Sequence, residues 1–291
     1  MKQRPKTVAV GNLLHVCAPL ALYYLLSSLA ASIYMQFLMF EAGFAVLGSE
    51  SADVQEYILR EYPGRVLQMV LLTALIAVPV FGWMYCKDLK ERKGFSFRHM
   101  VIVLELRPVS WAALGSMALA LALNLIFLSS PLPGWSAGFR QAQEAMYQGS
   151  IWMELAASGA AAAVMEELLF RGLLYGRMRE LLGAGSAVLW SALAFGVCHG
   201  NLVQGVYGFL MGCFLAYLME RFGTVLIPIL AHMSANVFLI FLTEGGGLDG
   251  LLQKPLVWAG TAAACMVLFA FSMALIWASG KAISGEKQEE N

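Results

Sequence analysis

Long uninterrupted runs of apolar residues dominate the chain, and most of its polar residues lie in the shorter segments between them. A helix rises about 1.5 Å per residue, so about 20 apolar residues are needed to cross a hydrocarbon core of about 30 Å. The runs that reach this length are residues 7–40, 66–86, 108–139, 151–174, 181–219, 222–243 and 255–280. The run 181–219 is long enough for two passes, with a break near Gly200 and Asn201. The pattern predicts an all-α, polytopic membrane protein with about eight transmembrane helices.

Composition narrows the class further. Of the 291 residues, 59% are hydrophobic and 13% are charged, against about 45–50% and about 25% in soluble domains. These values exclude a soluble enzyme, a secreted disulfide scaffold and a disordered chain. The 19 basic and 19 acidic residues cancel, so the charge favours no nucleic-acid partner, and the predicted surroundings are a lipid bilayer. The five cysteines lie in apolar stretches and are interpreted as free packing thiols.

The basic residues predict an orientation. They are concentrated before the first span and after the second, fourth, sixth and eighth, whereas the alternate loops are poorer in them. By the positive-inside rule, both termini are expected in the cytoplasm of a multi-pass cell-membrane protein. A cleaved signal peptide is the alternative for the first span, but its apolar run exceeds the usual 7–15 residues.

The domain prediction follows from the same pattern. Residues 1–291 are expected to form a single helical membrane domain, with residues 281–291 as a polar cytoplasmic tail. Residues 53–65 have helical apolar spacing and are predicted to form a short external amphipathic helix.

Ionisable side chains inside predicted spans are costly, so each needs a partner or a function. In the sequence EELLFR, Glu167 and Arg171 are four residues apart, share one helix face and can form an ion pair. Glu166 is turned by about 100° from Glu167 on the same helix. One carboxylate is then neutralised while the other points elsewhere, which fits a structural charge cluster and a catalytic site equally well.

Two further motifs place polar groups in neighbouring spans. FGVCH ends at His199, and HMSAN places His232 and Asn236 on one helix face. A lone histidine of this kind is more often a packing residue, and Gly196 with Gly200 forms a small-residue pair suited to close helix packing.

Depth favours a shared site over separate packing residues. Glu166 precedes the predicted turn at residues 183–185 by about 17 residues, and His199 follows it by about 15, so antiparallel helices bring the two to similar depths. The span that begins near Gly223 brings His232 and Asn236 to the same region.

At these residues the chain resembles the CAAX protease and bacteriocin-processing family of intramembrane glutamic endopeptidases, which includes the type II prenyl-protein endopeptidases. That family carries EExxxR, FxxxH and HxxxN on successive membrane helices, and all three occur here in order. The resemblance covers residues 150–240 and implies a protease catalytic core there. It further implies that Glu166 and His199 activate a water, that His232 and Asn236 form an oxyanion hole, and that Glu167 and Arg171 support them.

The residues themselves are consistent with this chemistry. Peptide hydrolysis needs a base for water and donors for the developing oxyanion. The sequence therefore predicts a membrane endopeptidase with a peptide or protein substrate at the membrane and no cofactor.

Two alternatives stay open. Glu166, His199 and His232 could instead hold zinc with one open position, although the chain lacks HExxH. The polar cluster could also belong to a transporter, or to an immunity or scaffold protein without enzymatic activity.

Overall fold

The computed structural model describes residues 10–46, 54–92 and 106–279, which form helices joined by short turns. The helices, in chain order, are α1 Val10–Val46, α2 Val54–Glu61, α3 Val66–Glu91, α4 Leu106–Leu128, α5 Ala137–Met146, α6 151–182, α7 Ala184–Val197, α8 Leu202–Phe222, α9 Leu226–Glu244, α10 Gly247–Leu252 and α11 Pro255–Ala278. Single helical turns occur at Pro63–Arg65 and Leu132–Trp135. No strand occurs within these described ranges, and the all-α prediction is confirmed.

Six of these helices are long and apolar enough to cross a membrane by length and composition: α1, α3, α4, α8, α9 and α11. This confirms a polytopic membrane protein. The other two predicted spans correspond to α6, which carries charged residues, and to α7, which has 14 residues and a length of about 21 Å. The total of eight crossings therefore stays a prediction.

The third predicted span, residues 108–139, is wrong in its extent. Helix α4 ends at Leu128, and a separate short helix, α5, follows after a turn. The reason is local: Pro131 and Pro133 have no backbone N–H and cannot continue the hydrogen-bonding pattern of α4. The Ser130 hydroxyl also donates to the Phe127 carbonyl at 2.6 Å, which closes the last turn.

Other sequence predictions of turns are confirmed. Gly183, with φ of 82°, separates α6 from α7, and Gly223, with φ of 65°, ends α8. Asn201 begins α8 by accepting a hydrogen bond from the Gln204 N–H at 2.9 Å. The amphipathic segment forms α2, while the predicted polar tail at 281–291 lies outside the described residues.

Helix α6 lies at the centre of the bundle, in contact with α1, α3, α7, α8 and α9. It contains two π-helical stretches, Leu155–Ala161 and Leu168–Tyr175, on either side of the α-helical turn Ala162–Glu167. A π turn, with its i→i+5 hydrogen bonds, is rare and often accompanies a functional site. The turn between the two stretches ends on the adjacent residues Glu166 and Glu167.

The outer helices have the exposure expected next to lipid. In the most apolar windows of α1 and α11, 17% of residues are buried, and large apolar side chains such as Phe37 and Leu256 face outward. In contrast, every residue of Leu168–Tyr175 on α6 is buried. Arg171 of α6 therefore lies in a fully enclosed part of the described bundle.

Candidate active site

A cavity of about 380 Å³ lies between α3, α4, α5, α6, α7, α8 and α9. Its lining includes all four residues that the sequence predicts to be catalytic, namely Glu166, His199, His232 and Asn236. Glu166 comes from α6, His199 from the turn that follows α7, and His232 and Asn236 from α9. The structure thus places the three sequence motifs around one space, while the roles of the residues stay predictions.

The two adjacent glutamates have different surroundings, as the helical spacing predicts. The Glu167 carboxylate is fully buried, and its Oε1 accepts a hydrogen bond from Arg171 Nη1 at 2.7 Å. The Glu166 side chain keeps 23% of its surface exposed and lines the cavity. One carboxylate is therefore a structural counter-ion, and its neighbour is available to a ligand.

Glu167 has a second partner that the sequence did not reveal. Its Oε1 also lies 2.8 Å from Nδ1 of His232, on α9. Because an ionised carboxylate can only accept, this contact places a proton on Nδ1 and directs the other ring nitrogen elsewhere. Nε2 of His232 lies 3.9 Å from Glu166 Oε2, so the imidazole stands between the two glutamates.

His199 lies in the turn that follows α7 and is held by the last turn of that helix. Its Nδ1 lies 2.8 Å from the Phe195 carbonyl oxygen, which can only accept, so Nδ1 carries the proton. In a neutral ring, Nε2 is then an acceptor that can receive a proton or hold a water. Helix α8 leaves room for the ring, since a Cβ added at Gly208 would lie 3.1 Å from His199 Cε1.

The Phe195 ring contacts three polar side chains of the site, although the sequence predicted a role only for His199 in the FxxxH motif. The Arg171 guanidinium lies over the Phe195 ring at 4.4 Å. The rings of His199 and His232 meet Phe195 edge-on, with centroid distances of 4.9 and 6.0 Å. The FxxxH motif already indicates the contact between Phe195 and His199, because residues four apart on a helix share one face.

Asn236 also has a fixed orientation. Its Nδ2 donates to the Ser158 carbonyl oxygen in the first π-helical stretch of α6, at 2.8 Å. This contact identifies the amide nitrogen of the side chain, which otherwise resembles the amide oxygen. The second N–H of the same nitrogen can serve a ligand in the cavity.

Close packing of α7 against α8 depends on glycine. A Cβ at Gly196 would lie 2.4 Å from the Gly205 carbonyl oxygen, and one at Gly212 would lie 3.1 Å from Ala192 Cβ. The predicted pairing of Gly196 with Gly200 is wrong in its second member. Gly200 has φ of 71° and open space around it, so it serves the turn between the helices.

Most of the other residues that line the cavity are apolar, with a few polar but uncharged residues among them. The polar ones are Asn124, Gln143, Tyr147, Ser158, Gln204 and Tyr207. Burial raises the pKa of the Tyr147 phenol above its ordinary value, so this residue, between α5 and α6, presents a neutral hydroxyl. Of the described residues that line the cavity, Glu166 alone is acidic and none is lysine or arginine.

Within residues 10–46, 54–92 and 106–279, no three His, Cys, Asp or Glu side chains lie close enough together to hold a metal ion. The zinc alternative would require Glu166, His199 and His232 to move towards one point. Cys198, beside His199, accepts a hydrogen bond from the Tyr24 hydroxyl at 3.4 Å and is absent from the cavity lining.

Comparison with known proteins bears on the same segment. Residues 148–238 match the model of a family described as type II CAAX prenyl endopeptidase Rce1-like. This segment is therefore similar to the Rce1-like family over about a third of the chain. The match confirms the resemblance found in the sequence, and it contains all six residues to which that resemblance assigns roles.

One curated relative is "Putative membrane peptidase YdiL" of Bacillus subtilis (strain 168). It is 29% identical to this chain over 85 residues, which make up 29% of this chain and 35% of YdiL. The chain thus aligns with about a third of the length of that relative. No solved structure matched the chain.

Proposed function

We propose that this protein is an intramembrane endopeptidase that hydrolyses a peptide bond in membrane-associated proteins or peptides. The observation that carries the proposal is the convergence of Glu166, His199, His232 and Asn236 on one cavity. The Rce1-like match and the peptidase relative support the same reaction class. The enzyme would lie in the cell membrane with both termini in the cytoplasm.

In the proposed mechanism, Glu166 and His199 hold the attacking water between them. The Glu166 carboxylate takes one proton from this water as its oxygen attacks the carbonyl carbon of the substrate. Nε2 of His199, whose ring is oriented by the Phe195 carbonyl, accepts a hydrogen bond from the other O–H of the water, which stays with the oxygen. The proton on Glu166 then passes to the amine when the C–N bond breaks.

His232 and Asn236 would stabilise the oxyanion. The second N–H of Asn236 Nδ2 is one donor. His232 donates from Nε2 only if both ring nitrogens carry protons, because Nδ1 already faces Glu167. Such an imidazolium balances the charge of the cluster: Arg171 and His232 then offset Glu166 and Glu167, and unbalanced buried charge is costly.

Glu167 and Arg171 act as positioning residues in this mechanism. Both are fully buried and bonded to each other. Arg171 Nη2 also donates to the Gly212 carbonyl oxygen at 3.3 Å, which ties α6 to α8. The pair would hold the His232 ring at a fixed angle without touching the substrate.

The direct test compares purified wild-type protein with Glu166→Gln, using peptides identified by profiling membrane and secreted peptides of cells with and without the active protein. Loss of a general base should lower the rate by about 10²–10⁴-fold. Glu144→Gln is the matched control, because Glu144 is exposed on α5 and does not line the cavity. Near-normal cleavage by folded Glu166→Gln would contradict the assignment.

A second experiment decides between the metal-free mechanism and the zinc alternative. Protein stripped with a chelator should keep its activity in the metal-free mechanism. Activity that is lost on stripping and restored by zinc would instead support the His₂Glu arrangement.

A further inference from the structure

The basic residues divide the bundle into two unlike ends. Of the 19 lysines and arginines, 14 lie before α1, around the segment between α3 and α4, and at or after the ends of α6, α8 and α11. Four lie in the connections at the opposite end: Arg60, Arg65, Arg140 and Lys254. Arg171 is within the bundle. By the positive-inside rule, the helix ends that adjoin these 14 residues in the sequence face the cytoplasm, and they form the basic end of the bundle.

The structure closes this basic end with ion pairs. Arg177 donates to Asp88 at 2.7 Å, and its Nη1 donates to the His15 carbonyl oxygen at 2.6 Å. These contacts join α6 to α3 and α1. Between Arg177 and the cavity, the eight residues Leu168–Tyr175 of α6 are all buried. Packed side chains therefore separate the cavity from the basic end.

The cavity lies towards the other end. Helix α3 lines it with Val66 at its first residue and carries Lys90 near its last, about 36 Å away. Helix α8 lines it with Gln204, and Arg221 lies about 26 Å further along. Glu166 lies about 17 Å from Arg177 along α6, so the cavity reaches roughly the middle of the membrane.

Helix α5 lies over this end of the cavity, where Phe139, Gln143 and Met146 contribute to the lining. It belongs to the connection between α4 and α6, on the side with few basic residues. The described residues that line the cavity are mostly apolar, and the polar ones include no lysine or arginine. A charged side chain entering it would lose hydration without gaining a counter-ion other than Glu166.

We infer that the cavity opens on the non-cytoplasmic face of the membrane, beside α5. This inference rests on the proposed function. It identifies the substrates as peptide segments that are exposed at the non-cytoplasmic surface of the membrane. The residues that enter the cavity next to the scissile bond are uncharged and mainly apolar. A cytoplasmic tail would have no route to Glu166, because the buried part of α6 and the ion pairs lie between them.

Thiol accessibility tests the opening directly. The five native cysteines are replaced, and single cysteines are introduced as Ala162→Cys at the floor of the cavity, Gln204→Cys in its wall, and Glu180→Cys at the basic end as control. A membrane-impermeant maleimide is added to right-side-out and to inverted vesicles. The two cavity cysteines should react in right-side-out vesicles, and Glu180→Cys should react in inverted ones.

A membrane-permeant maleimide establishes that each thiol is reactive, and thermal stability in detergent establishes that each variant is folded. Labelling of the cavity cysteines from the same side as Glu180→Cys would overturn the inference. So would protection of Ala162→Cys from both sides while the permeant reagent modifies it.

A cleavage assay in the same vesicles provides a second test of the inference. A membrane-impermeant, uncharged peptide substrate should be cut by right-side-out vesicles and spared by inverted ones, and the reverse result would overturn the inference about substrates. If neither preparation cuts any peptide, the proposed function fails. The labelling result still decides where the cavity opens, so the two failures are distinguishable.

Discussion

Charged residues at the two ends of the bundle are used in opposite ways. At the basic end two carboxylates have cationic partners: Asp88 pairs with Arg177, and Glu220 pairs with Arg179. At the cavity end, the Glu166 carboxylate has no partner among the described residues closer than His232 at 3.9 Å, and Asn236 retains a second donor. Satisfied charges hold helices together, whereas incompletely satisfied groups facing a cavity can bind and react with a ligand.

The same contrast occurs within one helical turn of α6. Glu167 is bonded to Arg171 and His232, while Glu166, the residue before it, faces the cavity. Residue type and depth in the membrane are nearly identical for the two glutamates. Rotation around the helix axis therefore decides which one stabilises the protein and which one is available for chemistry.

The largest stability effect is expected from Glu167→Ala. The change leaves the Arg171 guanidinium fully buried without its counter-ion and removes the acceptor for His232 Nδ1. Breaking a buried ion pair costs about 3–5 kcal/mol. Denaturant titration in detergent should show this loss, and the level of folded protein in the membrane should fall.

Glu166→Gln is the matched comparison for that variant. It removes one charge from the neighbouring residue but leaves the Glu167 network intact, so its unfolding transition should remain close to the wild-type one. Equal destabilisation of the two variants would show that the glutamates are not divided into structural and reactive groups.

A smaller effect is expected at the basic end from Asp88→Asn. Asp88 and Arg177 are 6% and 5% exposed and form two hydrogen bonds. Loss of the charge should cost about 1.5–3 kcal/mol, since Arg177 keeps its bond to the His15 carbonyl. Unfolding in detergent should shift, while the cleavage rate per folded molecule should not.

Glu91→Gln is the control at the same end. The Lys87–Glu91 pair is 3.9 Å apart with both side chains more than half exposed, so its loss should cost less than about 1 kcal/mol. A lowered cleavage rate per folded Asp88→Asn molecule would show that the two ends are coupled.

Local sequence signals predicted much of this arrangement. The four-residue spacing predicted the Glu167–Arg171 ion pair, and the glycines at 183 and 223 predicted the helix ends. Helix length also predicted that Glu166 and His199 lie at similar depth. Each of these features depends on residues close together in the chain or on a simple rise per residue.

The other contacts of the site depend on how each helix is rotated about its axis, which short stretches of sequence do not determine. Glu167 meets His232 across 65 positions, and Asn236 meets the Ser158 carbonyl across 78. The π-helical stretches change the rotation of α6 around Glu166, and hydrophobicity alone cannot reveal them. The end of α4, in contrast, has a local sequence signal, because Pro131 and Pro133 follow closely after Leu128. The prediction of one span over residues 108–139 gave more weight to hydrophobicity than to these prolines.

The finest test of the cavity end is Gly208→Ala, which should change activity without lowering stability. Alanine favours a helix over glycine by up to about 1 kcal/mol, so α8 should not be weakened. However, the new Cβ would lie 3.1 Å from Cε1 and 3.2 Å from Nδ1 of His199. The ring would have to move while Phe195 holds its Nδ1, and such a displacement should lower the cleavage rate about tenfold.

Gly205→Ala, one turn earlier on α8, is the control for that change. Its Cβ would meet the Gly196 carbonyl oxygen at 3.4 Å and lies away from His199, so cleavage should stay near the wild-type rate. If Gly208→Ala were as active as Gly205→Ala, the position of the His199 ring would not limit the reaction. The proposed contact between His199 and the attacking water would then be wrong, even if Glu166 remained the base.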